Sequence, residues 1–263
     1  MGEAIFDVDG TLLNSMFIWD TIGETYLRSI GYEPRENLNK VFKNMSLLQA
    51  ARYYQTEYGV TLCIDEIMNG VNTMLEHYYR LEAPLKPGVA ELLMWLQKNG
   101  VKLCVATATD RYLVEAALER CGVLSCFGRI FTCGEVGHGK DEPHILEEAL
   151  RFLGTKKSET VVFDDALYAV RTSKGADFPV VAVYDVHEKE QNELRKLSTI
   201  YLEDLKQAVF SFLPLGRHFQ IIELLVFCAG WKSKHRVQTT QCSGQSECQR
   251  PLPLFPCSRR TVP

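Results

Sequence analysis

No basic field, membrane span or cysteine framework runs through this chain of 263 residues, and each absence removes a class of function. Net charge is −4, so no global positive potential points to nucleic acid. The longest apolar run, residues 221–231, is broken by Glu223 and is too short to span a bilayer. Nine cysteines occur without one C-x-x-C pair, so neither a zinc site nor a disulfide framework is indicated. Their odd number fits a reducing cytosol, and Cys104, Cys121 and Cys133 read as buried free thiols. The opening MGEAIFDVDG lacks a basic stretch followed by an apolar one, so no secretory signal is expected. Phe6 stands where a myristoylation motif needs Ser or Thr. No internal repeat is visible. The expectation is a cytoplasmic protein, monomeric, with no nucleic-acid or membrane partner.

What remains is ordinary globular composition, 46% hydrophobic and 24% charged, enough chain for one large domain and a smaller one. Charge is unevenly spread. Residues 209–263 hold seven Lys/Arg against two acids, which makes that stretch +5 and residues 1–208 −9. The same stretch loses apolar periodicity while Gln, Ser, Cys and Pro accumulate, so it reads as an irregular, disordered tail.

Before it, short apolar runs alternate with amphipathic segments. Strands are expected at 3–7, 101–107, 129–133, 160–164 and 180–184, with a last one within 198–202 and a short helix after it. Helical patterns lie between them at 88–98, 110–121, 142–152 and 166–174. That alternation implies right-handed crossovers and a doubly wound parallel α/β sheet. Residues 15–85 break the rhythm with helical patterns at 17–29, 46–58 and 64–79 and no convincing strand. They read as a small all-helical domain inserted after the first strand, over the sheet edge where open α/β folds bind ligands. The division is therefore 1–14 with 86–208 as the core, and 15–85 as the insertion.

Three strand-like runs end in polar groups. The first ends in Asp7, followed by Asp9, Gly10 and Thr11; the second ends in Thr107; the fourth ends in Asp164-Asp165. In a parallel sheet these ends share one edge. Carboxylates forced together raise one another's pKa values, and a divalent cation relieves that; an all-oxygen site favours Mg²⁺. Phosphoryl transfer asks a protein for positioning and charge neutralisation. Asp7 is set as an in-line nucleophile and Asp9 as the acid for the leaving alcohol and then the base for water. Gly10 allows the tight turn and Thr11 steadies it. Lys140 supplies a cation for phosphoryl oxygens and for Asp7, and Thr107 a hydroxyl, beside backbone amides that can hold phosphate.

DVDGT at 7–11 resembles motif I of the haloacid dehalogenase-like superfamily. VATATD around Thr107 is similar to its motif II, GKDEP at Lys140 to motif III, and VVFDDALYAVRTSKGADF at 161–178 to motif IV. The resemblance covers about residues 3–208 in the family's order. It implies a Rossmann-like core, a C1-type helical cap and Mg²⁺ held by Asp7, the Asp9 carbonyl and Asp165, with Asp164 a further candidate ligand. The subgroup most similar contains phosphoglycolate phosphatases and β-phosphoglucomutases. Two departures stand out: motif III reads Lys140-Asp141-Glu142-Pro143-His144 where the subgroup has Lys-Pro-x-Pro-Asp, and Asp164 stands where Gly or Glu is common.

The expected function is a Mg²⁺-dependent phosphatase acting on a small phosphorylated metabolite through an aspartyl-phosphate. A sugar-phosphate mutase shares every core residue, but mutases of the β-phosphoglucomutase kind carry a His twelve residues past the nucleophile, where this chain has Trp19. Dehalogenases lack the second motif I aspartate, present here as Asp9. Phosphonatase chemistry needs a cap lysine, and residues 15–31 contain none. A catalytically inactive binding protein on the same fold is the alternative from another class. Plainer readings attach to other residues. Asp165 could cap the helix that follows it. His138 reads as a solvent-facing loop residue, and His77 and His144 as structural or surface groups. Trp19, Tyr26, Met45, Tyr53 and Tyr54 read mostly as packing, with the inner face of the cap as their other role. Arg52 and Arg80 read as solvated helix-face residues rather than anion ligands.

Overall fold

Strand-forming runs in this chain are apolar without alternation, as strands covered on both faces must be. The computed structural model describes residues 2–42, 45 and 47–206. In chain order it contains β1 (Glu3–Phe6), α1 (Met16–Ser29), α2 (Leu38–Phe42), α3 (Leu47–Tyr58), α4 (Ile64–Leu81), α5 (Val89–Lys98), β2 (Leu103–Thr107), α6 (Arg111–Arg120), β3 (Arg129–Thr132), α7 (Cys133–Val136), α8 (His144–Leu153), β4 (Thr160–Asp164), α9 (Leu167–Gly175), β5 (Val180–Val183), α10 (Gln191–Leu197) and β6 (Ile200–Leu202). The strands form one parallel sheet in the order β3-β2-β1-β4-β5-β6.

Successive residues on the central strands feed opposite cores. Ala4 and Phe6, Leu103 and Val105, and Val161 and Phe163 join one cluster with α5 and α6, whereas Ile5, Cys104, Ala106 and Val162 join another with Ile145, Leu146, Ala149 and Leu153 of α8. This is the two-residue strand period with both faces covered. Phe6 and Phe163 stack across β1 and β4 with ring centroids 4.2 Å apart. From β1 the chain proceeds outward to β2 and β3, then returns to place β4 on the other side of β1. The C-terminal ends of β1 and β4 therefore flank the switch in strand order, the place where doubly wound sheets open a crevice.

Between β1 and α5 the described residues form α1 to α4 and no strand. Helix α4 packs against α1, α3 and α6. Its start is fixed by a capping box in which the Cys63 amide donates to Glu66 at 2.7 Å, a cysteine standing where Ser or Thr is usual. The chain segments entering and leaving these helices are tied together: Asn14 donates to the Pro84 carbonyl at 2.9 Å and Lys86 to the Leu12 carbonyl at 2.8 Å.

Helices α2, α7 and α10 were not expected from the sequence. All three are shorter than the span over which a 3.6-residue period can be read. Cys104 is a buried free thiol as expected, but Cys121 and Cys133 are only partly buried. No helix among the described residues is long and apolar enough to cross a membrane. The short helix expected after β6 runs into residues outside the described range, and the disordered-tail reading of 209–263 lies wholly outside it.

Candidate active site

The β1 ladder extends one residue past the strand, since the Asp7 amide donates to the Phe163 carbonyl at 2.9 Å. This sets the Asp7 carboxylate at the sheet edge. The chain then turns sharply, with Leu12 and Leu13 both donating to the Val8 carbonyl at 2.8 Å. Gly10 makes that turn possible for two reasons. Its φ is +76°, and a Cβ there would stand 2.2 Å from the Asp165 carboxylate. The Thr11 hydroxyl donates to Asp165 Oδ1 at 2.8 Å, locking the turn to the end of β4.

Asp7, Asp164 and Asp165 bring carboxylate oxygens within 4.8 Å of one another, all buried. Lys140, on the segment between α7 and α8, reaches in with Nζ 2.5 Å from Asp7 Oδ1 and 2.8 Å from Asp164 Oδ2. Burial pushes the Asp7 carboxyl up to about 7; the Asp164 and Asp9 charges add to the rise and Lys140 opposes it. Asp165 is also held well above its ordinary value, by burial and then by Asp164 and Asp7. Burial alone would lower Lys140, yet the Asp164 and Asp7 charges outweigh it and hold the ammonium above its ordinary value. One ammonium faces three carboxyl groups, so ionising all three would leave an excess of buried negative charge. An all-oxygen set this close fits a hard divalent cation. Asp165 is better placed as a ligand than Asp164, because the two Asp164 oxygens already accept from Lys140 and from the Ala166 amide at 3.0 Å.

Asp9 faces a different set of groups. Its Oδ1 accepts from Ser15 Oγ and Tyr79 Oη, each at 2.5 Å, and its Oδ2 from Thr109 Oγ1 at 2.5 Å. The carboxylate is thus not part of the three-aspartate cluster. Tyr79 is itself held by the Trp19 indole N–H at 3.2 Å. Burial and the Asp9 charge keep its phenol well above the ordinary value, so it stays a proton donor. Thr107 ends β2 fully buried, and its hydroxyl accepts from the Thr109 amide at 3.2 Å.

Several of these groups escaped the sequence reading. Ser15, Tyr79 and Thr109 carry no motif of their own; Thr109 had a signal only as the second threonine of VATATD. Lys86 too carries no motif of its own. Its ammonium is 2.7 Å from Asp185, donates to the Tyr184 carbonyl at 2.7 Å and also to the Gly10 carbonyl. His138 is an exposed residue, paired with Glu142 at 2.6 Å and stacked on His144 at 3.9 Å. Arg80 pairs with Glu76 at 2.6 Å on the surface, and Arg52 is exposed. Tyr26 and Tyr54 are core residues, while Trp19 is 41% exposed and, with Met45 and Tyr54, lines a cavity beside the site.

Residues 4–177 match the haloacid dehalogenase-like hydrolase family. The chain is 27% identical over 187 residues to validoxylamine A 7′-phosphate phosphatase of Streptomyces hygroscopicus subsp. limoneus, covering 71% of this chain and 87% of that protein. It is 27% identical over 189 residues to a probable pseudouridine-5′-phosphatase of Drosophila melanogaster, covering 70% and 81%. Among solved structures, CbbY from Rhodobacter sphaeroides in complex with phosphate superposes with a TM-score of 0.65 at 24% identity, over 78% of this chain and 96% of that one. The motifs, the sheet order and the match over most of the described chain agree: this protein belongs to the haloacid dehalogenase-like hydrolases and is a phosphatase among them.

Proposed function

We propose that this phosphatase is Mg²⁺-dependent and hydrolyses a small phosphorylated metabolite through an aspartyl-phosphate on Asp7. The observation that carries the reading is the buried meeting of Asp7 with Lys140 at 2.5 Å beside Asp164 and Asp165, four groups brought together from distant parts of the chain. The relatives named above act on validoxylamine A 7′-phosphate and, for the second, pseudouridine-5′-phosphate, which supports a phosphomonoester of metabolite size.

In the proposed reaction an Asp7 oxygen attacks phosphorus as the bond to the leaving oxygen breaks. Asp9, protonated, delivers its proton to that oxygen. The Asp9 carboxylate then takes a proton from water as the water oxygen attacks phosphorus, freeing Asp7 and inorganic phosphate. Lys140 balances charge on Asp7 and the phosphoryl oxygens throughout. The Thr107 hydroxyl and the neighbouring amides hold the phosphoryl group. Asp7, Asp165 and the Asp9 carbonyl would hold Mg²⁺, which when bound would further neutralise charge on the transferring group. Residues 15–85 are the cap in this scheme and 1–14 with 86–208 the catalytic core. The paired entry and exit segments give the cap a defined root.

The test is hydrolysis of para-nitrophenyl phosphate with and without Mg²⁺. Turnover that needs the cation and disappears in Asp7→Asn is expected. A protein that shows no turnover, or an Asp7→Asn variant as active as the parent, would remove the proposal.

A further inference from the structure

A second group of metal-ligating side chains, none of them in the aspartate cluster, stands on the segment that presents Lys140. The Nδ1 atoms of His138 and His144 both face Glu142 Oε2, at 2.6 and 3.1 Å. One ligand atom from each residue lies within 4.8 Å of the others, and all three residues are exposed. The two rings are stacked, with centroids 3.9 Å apart and planes 14° from parallel. Two imidazoles thus converge on a single carboxylate oxygen instead of each pairing with its own acid.

The backbone holds the three together. Gly137 ends α7 in the left-handed region, with φ +80°, and turns the chain toward His138. The Glu142 amide donates to the Gly139 carbonyl at 3.2 Å, closing a turn through Lys140 and Asp141. Pro143, with φ −78°, makes a stiff step between Glu142 and His144, the first residue of α8. The donor set is two imidazole nitrogens and one carboxylate oxygen. That set suits Zn²⁺ and its late first-row neighbours, whereas the all-oxygen aspartate cluster suits Mg²⁺. Ligand atoms around a tetrahedral Zn²⁺ stand about 3.3 Å apart, given bonds of about 2.0–2.1 Å. The His144–Glu142 pair is already near that spacing, and the His138–Glu142 pair would open by roughly 0.7 Å, a small rotation for exposed side chains.

From this geometry we infer that His138, Glu142 and His144 form a surface site for Zn²⁺ or a similar late first-row divalent ion. Water fills the fourth position, and exposure gives the ion an open path in. The turn that such an ion clasps carries Lys140, whose Nζ is 2.5 Å from Asp7. Binding therefore stiffens the backbone from which the Lys140 ammonium reaches the aspartates. The site is independent of the phosphatase reading, since none of its ligands takes part in that reaction.

The test is calorimetric titration of the full chain with ZnCl₂ at neutral pH, in excess Mg²⁺ to occupy the aspartate cluster. The parent is compared with His138→Ala, His144→Ala and Glu142→Gln. Zn²⁺ taken up by cysteine thiols is a background common to all four proteins. The parent should bind one equivalent whose affinity falls by at least about tenfold, or which disappears, in each variant. Zn²⁺ should also raise Tm in the parent by more than in any variant. All three side chains are exposed, so the variants should fold as the parent does, and Glu142→Gln, nearly isosteric, serves if a histidine variant fails to fold. Matching isotherms in all four proteins, or a loss confined to one variant, would overturn the site. Either result leaves the phosphatase reading untouched, because that reading is judged by Mg²⁺-dependent turnover.

Discussion

Asp9 receives three hydroxyl donors, and they come from three separate parts of the chain: Ser15 just before α1, Tyr79 in α4 and Thr109 after β2. A carboxylate that must hand a proton to a departing oxygen needs a fixed direction more than a strong field, and three donors fix it. Tyr79 is a positioning residue in this scheme, acting through Asp9 rather than on the substrate. Hydrogen bonds to charged groups are worth roughly 1.5–3 kcal/mol, so Tyr79→Phe should lower kcat for an alkyl phosphate by about tenfold or more. With para-nitrophenyl phosphate the loss should be much smaller, because nitrophenolate departs with little help from an acid. Equal losses on both esters would show that Tyr79 supports structure alone. None of this was legible beforehand: a tyrosine on the apolar face of an amphipathic helix looks like packing, and only the folded chain brings it to Asp9. The aspartates and Lys140, by contrast, were legible because their positions at strand ends and before a helix are themselves sequence features.

At the scale of elements, the strands could be read because burial on both faces leaves them apolar throughout, and their polar ends then stood out. Helix α4 could be read from its period. The short helices could not; α7 had only a local signal, the Thr132 hydroxyl that accepts from the Glu135 amide at 3.2 Å. The junction between helical insertion and sheet holds an ion pair that no sequence pattern announced. Lys86 there is 12% exposed and its partner Asp185 2%, and through Lys86 the end of β5 is joined to the turn after β1. Removing one partner of a buried pair commonly costs about 3–5 kcal/mol. Lys86→Met should therefore lower Tm clearly, and adding Asp185→Asn should recover part of the loss. A Tm unchanged in Lys86→Met, measured by calorimetry, would show that the pair does not hold the junction.

Across the whole molecule the dominant electrostatic fact is the buried carboxylate cluster. The Asp7 carboxyl is pushed to about 7 from an ordinary 3.8, by burial first, and Asp165 is also raised. A raised carboxyl gives stability that is whole below the unfolded-state value and is lost as pH climbs through the folded-state value. The cation-free protein should thus lose stability between about pH 4 and pH 7. Mg²⁺ competes with the same protons, so saturating Mg²⁺ should raise Tm more near pH 8 than near pH 5. Equal shifts at both would mean that Mg²⁺ does not bind this cluster. The overall sheet and the helical insertion after its first strand were legible because strand and helix periods differ; the contents of the cavity were not, since periodicity says which residues face inward but not which of them meet.

Whether Asp7 carries the phosphoryl group is decided by stopping the enzyme in mid-turnover. Acid quenching at steady state with Mg²⁺ and a substrate it hydrolyses, followed by borohydride reduction, converts an aspartyl-phosphate to homoserine that peptide mass spectrometry can locate. Homoserine at position 7, absent without substrate, is expected. Active enzyme with the modification at another residue would contradict it.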